Sequence, residues 1–317
     1  MILFAGSANL DFVVRAAHIP APGETVLGRS FATYPGGKGA NQAAACAKAG
    51  DASTRMLLAL GQDDFAKPIE ASLQGAGVML EVIRLDNTPT GTAFICVSDD
   101  AQNAITVAPG ANAALTPAHL PSLAGVTHLV MQLEIPIDTV TAFARQARKQ
   151  GVQVVLNAAP AQTLSAELMG LLDVLIVNEG ELAAIGPAHT TVAQGMRALG
   201  VPLVITTMGE QGCCALSPLG FWIEPATPVA AVDTTGAGDT FCGVLVASLA
   251  QQTGLAQALR KASAAAALAC TLPGAQSSIP SADRLHDFMR QSPAPAAAAR
   301  QHLLDACGLQ DSDLMQP

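Results

Sequence analysis

The chain has 317 residues, of which 50% are hydrophobic, 13% charged and 3% aromatic, and its formal net charge is −9. This length allows one large domain or two modest ones. No basic run is present, so a nucleic-acid partner is not expected, because binding to a phosphate backbone requires clustered Lys and Arg.

The opening residues, MILFAGSANLDFVV, lack a basic segment and reach Asp11 early. Together with the lack of any run of about 18 apolar residues, this predicts neither a signal peptide nor a membrane span. The seven cysteines are dispersed without a C-x-x-C spacing. That pattern argues against a disulfide framework or a zinc site and predicts free thiols in a reducing, cytoplasmic location.

Short apolar runs rich in β-branched residues alternate with Ala-rich helical stretches. Strands are predicted at residues 1–6, 53–60, 78–84, 128–132, 152–157, 174–178 and 203–207. Helices are predicted at residues 39–49, 68–75, 137–150, 192–199, 238–251 and 255–270. This alternation is typical of βαβ units, so the predicted fold class is α/β, with a mainly parallel sheet covered by helices on both faces.

Two segments interrupt the alternation, at residues 11–35 and 90–109. Both contain extended stretches without an intervening helix, and the second predicts a hairpin around residues 99–103. We interpret them as a small β-structure outside the main sheet, with long loops as the alternative.

The C-terminal sequence follows a predicted helix at residues 282–291. Its Pro/Ala run is typical of a linker, and a short amphipathic helix is predicted at residues 298–307. We expect residues 292–317 to be a solvated linker and tail. The predicted core then comprises residues 1–10, 36–89 and 110–291.

The sequence VDTTGAGDTF, residues 232–241, combines a Gly-rich turn with the start of a buried helix. Gly236 and Gly238 permit a close backbone approach that a Cβ would hinder, and a helix N-terminus stabilises negative charge. The P-loop spacing is absent and no Lys follows. The alternative is an ordinary Gly turn with Asp239 in the first turn of the helix.

The sequence YPGGKGANQAAACAKAG, residues 34–50, has a second Gly-rich turn. Lys38 and Asn41 follow Gly37 and are three residues apart, so they share a helical face. Paired glycines with polar groups suit a hydroxyl-rich ligand. The alternative is a turn before an Ala-rich core helix.

Polar side chains follow several predicted strands, namely Asn9 and Asp11, then Glu134, then Asn178 with Glu181. In an open α/β sheet, ligands bind outside the carboxyl ends of the strands. The alternative for each residue is a strand-end polar group that caps the next helix.

Together, GGKGANQA and DTTGAGDTF resemble the two signatures of the ribokinase-like, pfkB-type carbohydrate kinase family. PGETV, PGANAALTP, MQLE and APA also occur in the family's order, and the similarity extends over residues 1–291. It implies a three-layer α/β/α kinase core with a β lid at residues 11–35 and 90–109 that pairs two subunits in a homodimer. It also implies an ATP-dependent kinase for a sugar hydroxyl, with ribose to ribose 5-phosphate as the leading case.

The resemblance further implies residue roles. Asp239 would be the catalytic base, and the anion hole would be formed by Gly236, Ala237 and Gly238. The sugar would be contacted by Asn9, Asp11, Gly37, Lys38, Asn41, Glu134 and Asp239. The nucleotide would be bound by Asn178, Glu181, Thr207, Gly209, Gly212, Gly238 and Ser263, of which Asn178 and Glu181 would position Mg²⁺ and phosphates.

A monovalent cation, usually K⁺, is also implied. It would be held by Asp233, by backbone carbonyls of Thr235, Ala269, Leu272 and Gly274, and by the hydroxyl of Ser278. One departure is that Leu272 and Pro273 stand where ribokinases tend to carry basic residues.

Other acceptors stay open, namely deoxyribose, fructose, 2-keto-3-deoxygluconate or a nucleoside. The acidic and amide groups around the expected sugar site favour a neutral polyol. The alternative of another class is a non-catalytic sugar-binding regulatory protein, but such a protein would be expected to lose the base or the anion hole.

Overall fold

The computed structural model describes residues 1–100, 102–188, 191–292 and 296–315. Its strands are β1 (Ile2–Ala5), β2 (Asn9–Arg15), β3 (Ser30–Gly36), β4 (Thr54–Gly61), β5 (Met79–Leu85), β6 (Gly91–Val97), β7 (Asn103–Ala108), β8 (His128–Met131), β9 (Gln153–Asn157), β10 (Val174–Asn178), β11 (Leu203–Thr207), β12 (Gly212–Ser217) and β13 (Gly220–Pro225). Its helices are α1 (Lys38–Lys48), α2 (Ala66–Gly75), α3 (Ile137–Lys149), α4 (Ala166–Leu171), α5 (Glu179–Ile185), α6 (Val192–Ala198), α7 (Ala237–Ala250), α8 (Leu255–Ala269), α9 (Ala275–Ser278), α10 (Ala282–Gln291) and α11 (Ala297–Cys307).

The central sheet has nine strands in the order β13-β12-β11-β10-β9-β8-β1-β4-β5. In this order, the seven neighbouring strands from β11 to β5 pair in parallel. Strand β12 pairs antiparallel with both β11 and β13. Alternate residues of β1 face opposite layers, because Ile2 and Phe4 pack with α1, α7 and α8, while Leu3 and Ala5 pack with α3 and α4. The predicted three-layer fold is therefore confirmed.

The seven predicted core strands and six core helices are all present, with ends that differ by at most two residues. The sequence missed α4, α5 and α9 and the hairpin of β12 and β13. Of the helices in the described part of the chain, none is long and apolar enough to cross a membrane.

The two interrupting segments form a separate four-stranded sheet in the order β3-β2-β6-β7. The antiparallel pair β6 and β7 is the predicted hairpin, and the long-loop alternative is wrong. Phe12 stacks on Phe94 at 5.3 Å between ring centroids and meets Phe65, just before α2, edge-on at 5.3 Å. One face of this small sheet, the lid, therefore packs against the core through aromatic rings.

The C-terminal segment packs against the core, so the expectation of a solvated tail is wrong for its described residues. Leu303, Leu304 and Cys307 of α11 are buried in the same core layer as α3 to α6. Beyond the helix, Leu314 forms a parallel bridge to Phe221 of β13. The apolar residues of this segment gain burial, which favours docking over solvation. Residues 293–295 of the predicted linker lie outside the described residues.

Candidate active site

The site begins between β1 and β8, which are neighbours in the sheet although the chain visits β4 and β5 before it forms β8. Such a reversal of strand order opens a crevice at the carboxyl ends of the strands. Ser7 follows β1 and donates its hydroxyl to Glu134, which follows β8. The same carboxylate oxygen accepts the Lys38 backbone N–H at 3.1 Å. Both strand ends are thus joined to the start of α1.

The paired glycines before α1 are required by space as well as by conformation. Gly37 has φ +90°, and a Cβ there would lie 2.8 Å from the Ala8 Cα. A Cβ on Gly36 would lie 2.1 Å from the Asp11 Oδ2. The bare backbone therefore lets the Asp11 carboxyl lie against the turn that leads into Lys38.

Charges of both signs meet in this crevice. The pKa of Asp11 is raised to about 7 by burial first, and then by the negative charges of Glu134 and Asp239. For Lys38, burial is the largest single influence and lowers the pKa of its ammonium. The carboxylates of Asp239, Glu134 and Glu181 together outweigh burial, so the pKa of Lys38 is raised and the ammonium is retained.

Asn9 lies at the start of β2 with its side chain buried. Its Oδ1 accepts a hydrogen bond from the Asn112 Nδ2 at 2.7 Å, and the Asn112 Oδ1 accepts the Ala8 N–H at 3.0 Å. Asn112 therefore orients Asn9 on the same strand face as Asp11. Neither Asn112 nor Ser7 was assigned a role from the sequence, although Asn112 stands within PGANAALTP, one of the motifs that carried the resemblance.

The residues predicted to form the anion hole and the base lie at the N-terminus of α7. Gly236 precedes the helix in the left-handed region with φ +73°, and a Cβ there would lie 2.9 Å from the Ala275 Cα. The N–H of Ala237 donates to the Thr234 carbonyl at 3.2 Å within this turn. Gly238 faces open space, and Asp239 is buried in the first helical turn.

Both carboxylate oxygens of Asp239 accept hydrogen bonds from amides on α1. The Asn41 Nδ2 is 2.9 Å from Oδ2, and the Gln42 Nε2 is 2.9 Å from Oδ1. The Asn41 Oδ1 in turn accepts from the Gln276 Nε2 at 3.1 Å. Asn41, which the resemblance assigned to the sugar, therefore donates its hydrogen bond to Asp239 in this structure.

Gly243 is one turn beyond Asp239, and a Cβ there would lie 2.4 Å from the Gln42 carbonyl oxygen. The two helices can come this close only because position 243 is bare, and their approach brings the α1 amides to the α7 carboxylate. From the sequence, neither Gln42 nor Gln276 was expected beside Asp239. Their signal would have been a polar side chain at a position that the helical pattern buries.

Asn178 and Glu181 form a reciprocal cap at the start of α5. The Glu181 N–H donates to the Asn178 Oδ1, and the Asn178 N–H donates to Glu181 Oε2, both at 2.8 Å. Burial raises the pKa of Glu181, while the Asn178 N–H and the Lys38 ammonium oppose this. Glu181 thus faces the same crevice as Lys38 and Asp239, so the capping role and a role beside the ligand are compatible.

The remaining residues predicted to bind the nucleotide lie along β11, β12 and α8. Thr207 ends β11, and Gly209 begins the next turn with φ +55° and open space around its Cα. Gly212 has φ +119°, and a Cβ there would lie 2.1 Å from the Glu224 carbonyl oxygen, so this glycine is required for the hairpin itself. Ser263 is buried in α8.

Asp233 joins the turn before α7 to the loop between α8 and α9. Its carboxylate accepts the Thr235 N–H at 2.9 Å, the Thr235 hydroxyl at 2.6 Å and the Gly274 N–H at 2.8 Å. Burial, the largest single influence, raises the pKa of Asp233, but the hydrogen bonds from Gly274 and Thr235 together lower it. The ionised form is therefore favoured at this position.

The other residues predicted to hold the cation surround this loop. Ala269 ends α8, and its carbonyl accepts the N–H of the exposed Leu272 at 3.2 Å. The Ser278 hydroxyl donates to the Ala275 carbonyl at 3.0 Å. An ionised carboxylate among backbone oxygens fits a hard cation of low charge. Within the described residues, no group of three or more His, Cys, Asp or Glu side chains could hold a metal ion.

Comparison with known proteins places this geometry in a family. The profile of the pfkB family carbohydrate kinases matches residues 1–282. The chain belongs to the pfkB family of carbohydrate kinases. The predicted family membership is therefore confirmed, and so is an ATP-dependent sugar kinase as the class of enzyme.

Individual ribokinases are similar over nearly the whole chain. The ribokinase of Haemophilus influenzae is 35% identical over 299 residues, which cover 90% of this chain and 97% of that protein. The crystal structure of a Thermotoga maritima ribokinase matches with a TM-score of 0.84 and 34% identity, covering 92% of this chain and 99% of that one. Arabidopsis thaliana ribokinase complexed with ribose and ATP matches with a TM-score of 0.83 and 32% identity, covering 92% and 99%.

Proposed function

We propose that this kinase transfers the γ-phosphoryl group of ATP to a hydroxyl of D-ribose and forms ribose 5-phosphate. The observation that carries the proposal is the buried carboxylate of Asp239 in the first turn of α7, which accepts hydrogen bonds from Asn41 and Gln42. Similarity to ribokinases over nine-tenths of the chain supports ribose as the acceptor.

The mechanism follows from the position of this carboxylate. Phosphoryl transfer depends on in-line positioning and charge stabilisation more than on covalent chemistry. Asp239 accepts the proton of the sugar hydroxyl as its oxygen attacks. The turn at Gly236, Ala237 and Gly238 presents the positive end of α7 to the charge that develops on the transferred group.

The sugar lies in the crevice between the lid and the core. Asp11 and Glu134 accept hydrogen bonds from its hydroxyls, and the Lys38 ammonium donates to a ring or hydroxyl oxygen. A sugar phosphate would require several free cations at the lid, but Arg29 pairs with Asp99 at 2.8 Å. These charges favour a neutral polyol over a phosphorylated sugar.

ATP binds beside Asn178, Glu181, Thr207, Gly209, Gly212 and Ser263. Asn178 and Glu181 would position Mg²⁺, which would supply positive charge to neutralise part of the charge on the phosphates. Asp233 and the carbonyls around Gly274 would hold K⁺, which would keep the turn before α7 in place.

The functional unit is a homodimer joined through the lid, whose exposed apolar side chains include Phe94, Ile105 and Val107. The seven cysteines of the chain are all free, which suits a reducing compartment. We therefore place the enzyme in the cytoplasm.

An assay of ADP release across a panel of sugars tests the proposal. Ribose should give the highest kcat/KM, ahead of deoxyribose, fructose, 2-keto-3-deoxygluconate and nucleosides, and K⁺ should raise the rate. Asp239→Asn should retain ribose binding but lose about 10²-fold or more in kcat, because the variant cannot take up the proton. Asp283→Asn, which changes the first-turn carboxylate of α10, is the matched control and should keep full activity.

Two outcomes would contradict the proposal. If turnover is faster with another acceptor, that acceptor would replace ribose as the proposed substrate. No ADP release with any sugar or nucleoside would favour a sugar-binding regulatory protein on the same fold.

A further inference from the structure

Three buried amide side chains form a hydrogen-bonded chain beside Asp239. The Gln42 Nε2 is 2.9 Å from the Asp239 Oδ1 and also 2.9 Å from the Asn157 Oδ1. The Gln42 Oε1 accepts from the Gln132 Nε2 at 2.7 Å, and the Asn157 Nδ2 donates to the Ile176 carbonyl at 3.1 Å. The chain links the ends of β8 and β9 to the carboxylate on α7.

The Ile176 carbonyl fixes the orientation of every amide in this chain. A carbonyl can only accept, so Asn157 must turn its NH₂ towards Ile176 and its oxygen towards Gln42. Gln42 must then present its NH₂ to Asn157 and its oxygen to Gln132. An amide flip, which is otherwise difficult to exclude, would place oxygen against oxygen. Gln42 is therefore a donor to Asp239 in one defined orientation.

If stability were the only requirement, this arrangement of buried amides would be unfavourable. The Gln132 Oε1 is buried and, among the described residues, has no hydrogen-bond partner. A Cβ on Gly6 would lie 2.0 Å from that oxygen, so the chain also needs a bare position at residue 6. A buried polar group left unpaired costs stability, and apolar side chains of the same shape would avoid that cost.

We infer that Gln42 is a positioning residue for the Asp239 carboxylate, oriented by Asn157 and Gln132. The inference rests on the proposed role of Asp239 as the base. Asn41 and Gln42 donate from the same helix to different oxygens of one carboxylate, so the plane of that carboxylate cannot rotate without breaking a hydrogen bond. A lone pair on each oxygen is then aimed in a constant direction while the sugar hydroxyl approaches.

Gln42→Met keeps the length and burial of the side chain and removes its hydrogen bonds. We expect kcat to fall by about 10- to 100-fold, the range for one hydrogen bond to a charged group, while the KM for ribose changes by less than about threefold. Donors to a carboxylate favour its ionised form. Loss of the donor should therefore move the acid limb of the pH profile of kcat to higher pH.

Gln251→Met is the matched control. The Gln251 Nε2 donates to the backbone carbonyls of Gly50 and Asp51, at the opposite end of the same α1 and α7 pair. Its substitution should lower the melting temperature without changing kcat or the pH profile. If Gln42 had only a structural role, Gln42→Met would behave like Gln251→Met, with a lower melting temperature but an unchanged kcat and pH profile.

Asn157→Leu gives a second test and decides the question if Gln42→Met is insoluble. It removes the group that orients Gln42 and should lower kcat by a smaller factor with the same shift of the acid limb. In the double variant the two losses should not multiply, because both act through one amide.

The positioning role would be overturned if the wild type is active and both Gln42→Met and Asn157→Leu keep kcat within twofold of it, with an unchanged pH profile. That result would leave the proposed function intact. A wild-type chain without sugar-dependent ADP release would instead refute the proposed function.

Discussion

Asp11 is a carboxyl group whose ionisation the surrounding residues oppose. Unfolded, it ionises near pH 4, whereas burial and the charges of Glu134 and Asp239 raise its pKa in the fold to about 7. Between these values the folded chain retains a proton that the unfolded chain releases. The free energy of unfolding therefore falls as the pH rises from about 4 to about 7, and the loss is complete above that range.

Asp11→Asn should remove this loss. We expect the variant to gain on the order of 2–4 kcal/mol in the free energy of unfolding at pH 8, relative to wild type, and little at pH 4. Its KM for ribose should rise by about tenfold or more, because a charged acceptor for sugar hydroxyls is lost. Urea denaturation at the two pH values and steady-state kinetics measure both effects.

The exposed Asp64→Asn is the control for Asp11→Asn and should change stability by no more than about 0.5 kcal/mol at either pH. Equal effects of Asp11→Asn at pH 4 and pH 8 would show that the carboxyl does not titrate in this range. A gain in stability together with a loss of sugar affinity would identify Asp11 as a residue kept for binding rather than for folding.

The sequence predicted site residues where a short motif carries them, and missed those that only the fold brings together. Asp239 and Lys38 stand in Gly-rich signatures, whose glycines, apart from Gly238, have positive φ or no room for a Cβ. Ser7, Gln42 and Asn112 contribute through partners more than 80 residues away in the chain. No spacing rule reports such a contact, because it depends on the order of the strands.

At the scale of elements, the close contact of α1 with α7 determines which side chains donate hydrogen bonds to the Asp239 carboxylate. Gly243→Ala would usually favour a helix by about 1 kcal/mol. Here the added Cβ would meet the Gln42 carbonyl at 2.4 Å and the Ala45 Cβ at 2.8 Å. We expect a loss of about 1–3 kcal/mol in the free energy of unfolding and a lower kcat, because α1 must move away together with Asn41 and Gln42.

Gly170→Ala in α4 is the matched control for Gly243→Ala, since nothing lies within 4 Å of its added Cβ. It should raise stability by roughly 0.4–1 kcal/mol and leave kcat unchanged. Thermal denaturation and kinetics of both variants measure the difference. Equal stabilisation by the two substitutions would contradict the idea that the helix contact is close-packed.

Elements with a clear hydrophobic pattern were predictable, but the short helices α4, α5 and α9 were not. The core strands alternate with Ala-rich helices, and both patterns appear clearly in the sequence. Helix α5 buries only Leu182 and so has no apolar stripe, although the cap formed by Asn178 and Glu181 was a usable signal. In β12, Gly212 begins the strand with a positive φ that no hydrophobic pattern reports.

At the scale of the whole molecule, composition described the C-terminal segment poorly. Its Pro/Ala run indicated a linker, yet Leu303, Leu304 and Leu309 beyond it are buried and Leu314 pairs with β13. Local polarity cannot predict docking onto a surface formed 80 or more residues earlier. The family profile ends at residue 282, so this docked segment lies outside the region that defines the family.

At the same scale, the exposed apolar side chains of the lid indicate how two subunits assemble. Ile105 is 55% exposed and Val107 43%, and they lie two residues apart on β7, so they share one face of the lid. An exposed apolar patch of this kind is typical of a protein interface. A charge at its centre would have to be desolvated in the dimer without a partner. Ile105→Asp should therefore weaken dimerisation by at least about tenfold, an effect that sedimentation velocity over a range of concentrations measures.

Leu219→Asp is the control for Ile105→Asp, because Leu219 is 70% exposed on the turn between β12 and β13, in the other sheet. It should sediment as the wild type does. If the lid pairs two subunits, Ile105→Asp should also raise the KM for ribose, because Asp11 lies on the lid strand β2, and the control should not. A wild-type chain that is monomeric at micromolar concentration would refute the lid-mediated dimer and leave the kinase site unaffected.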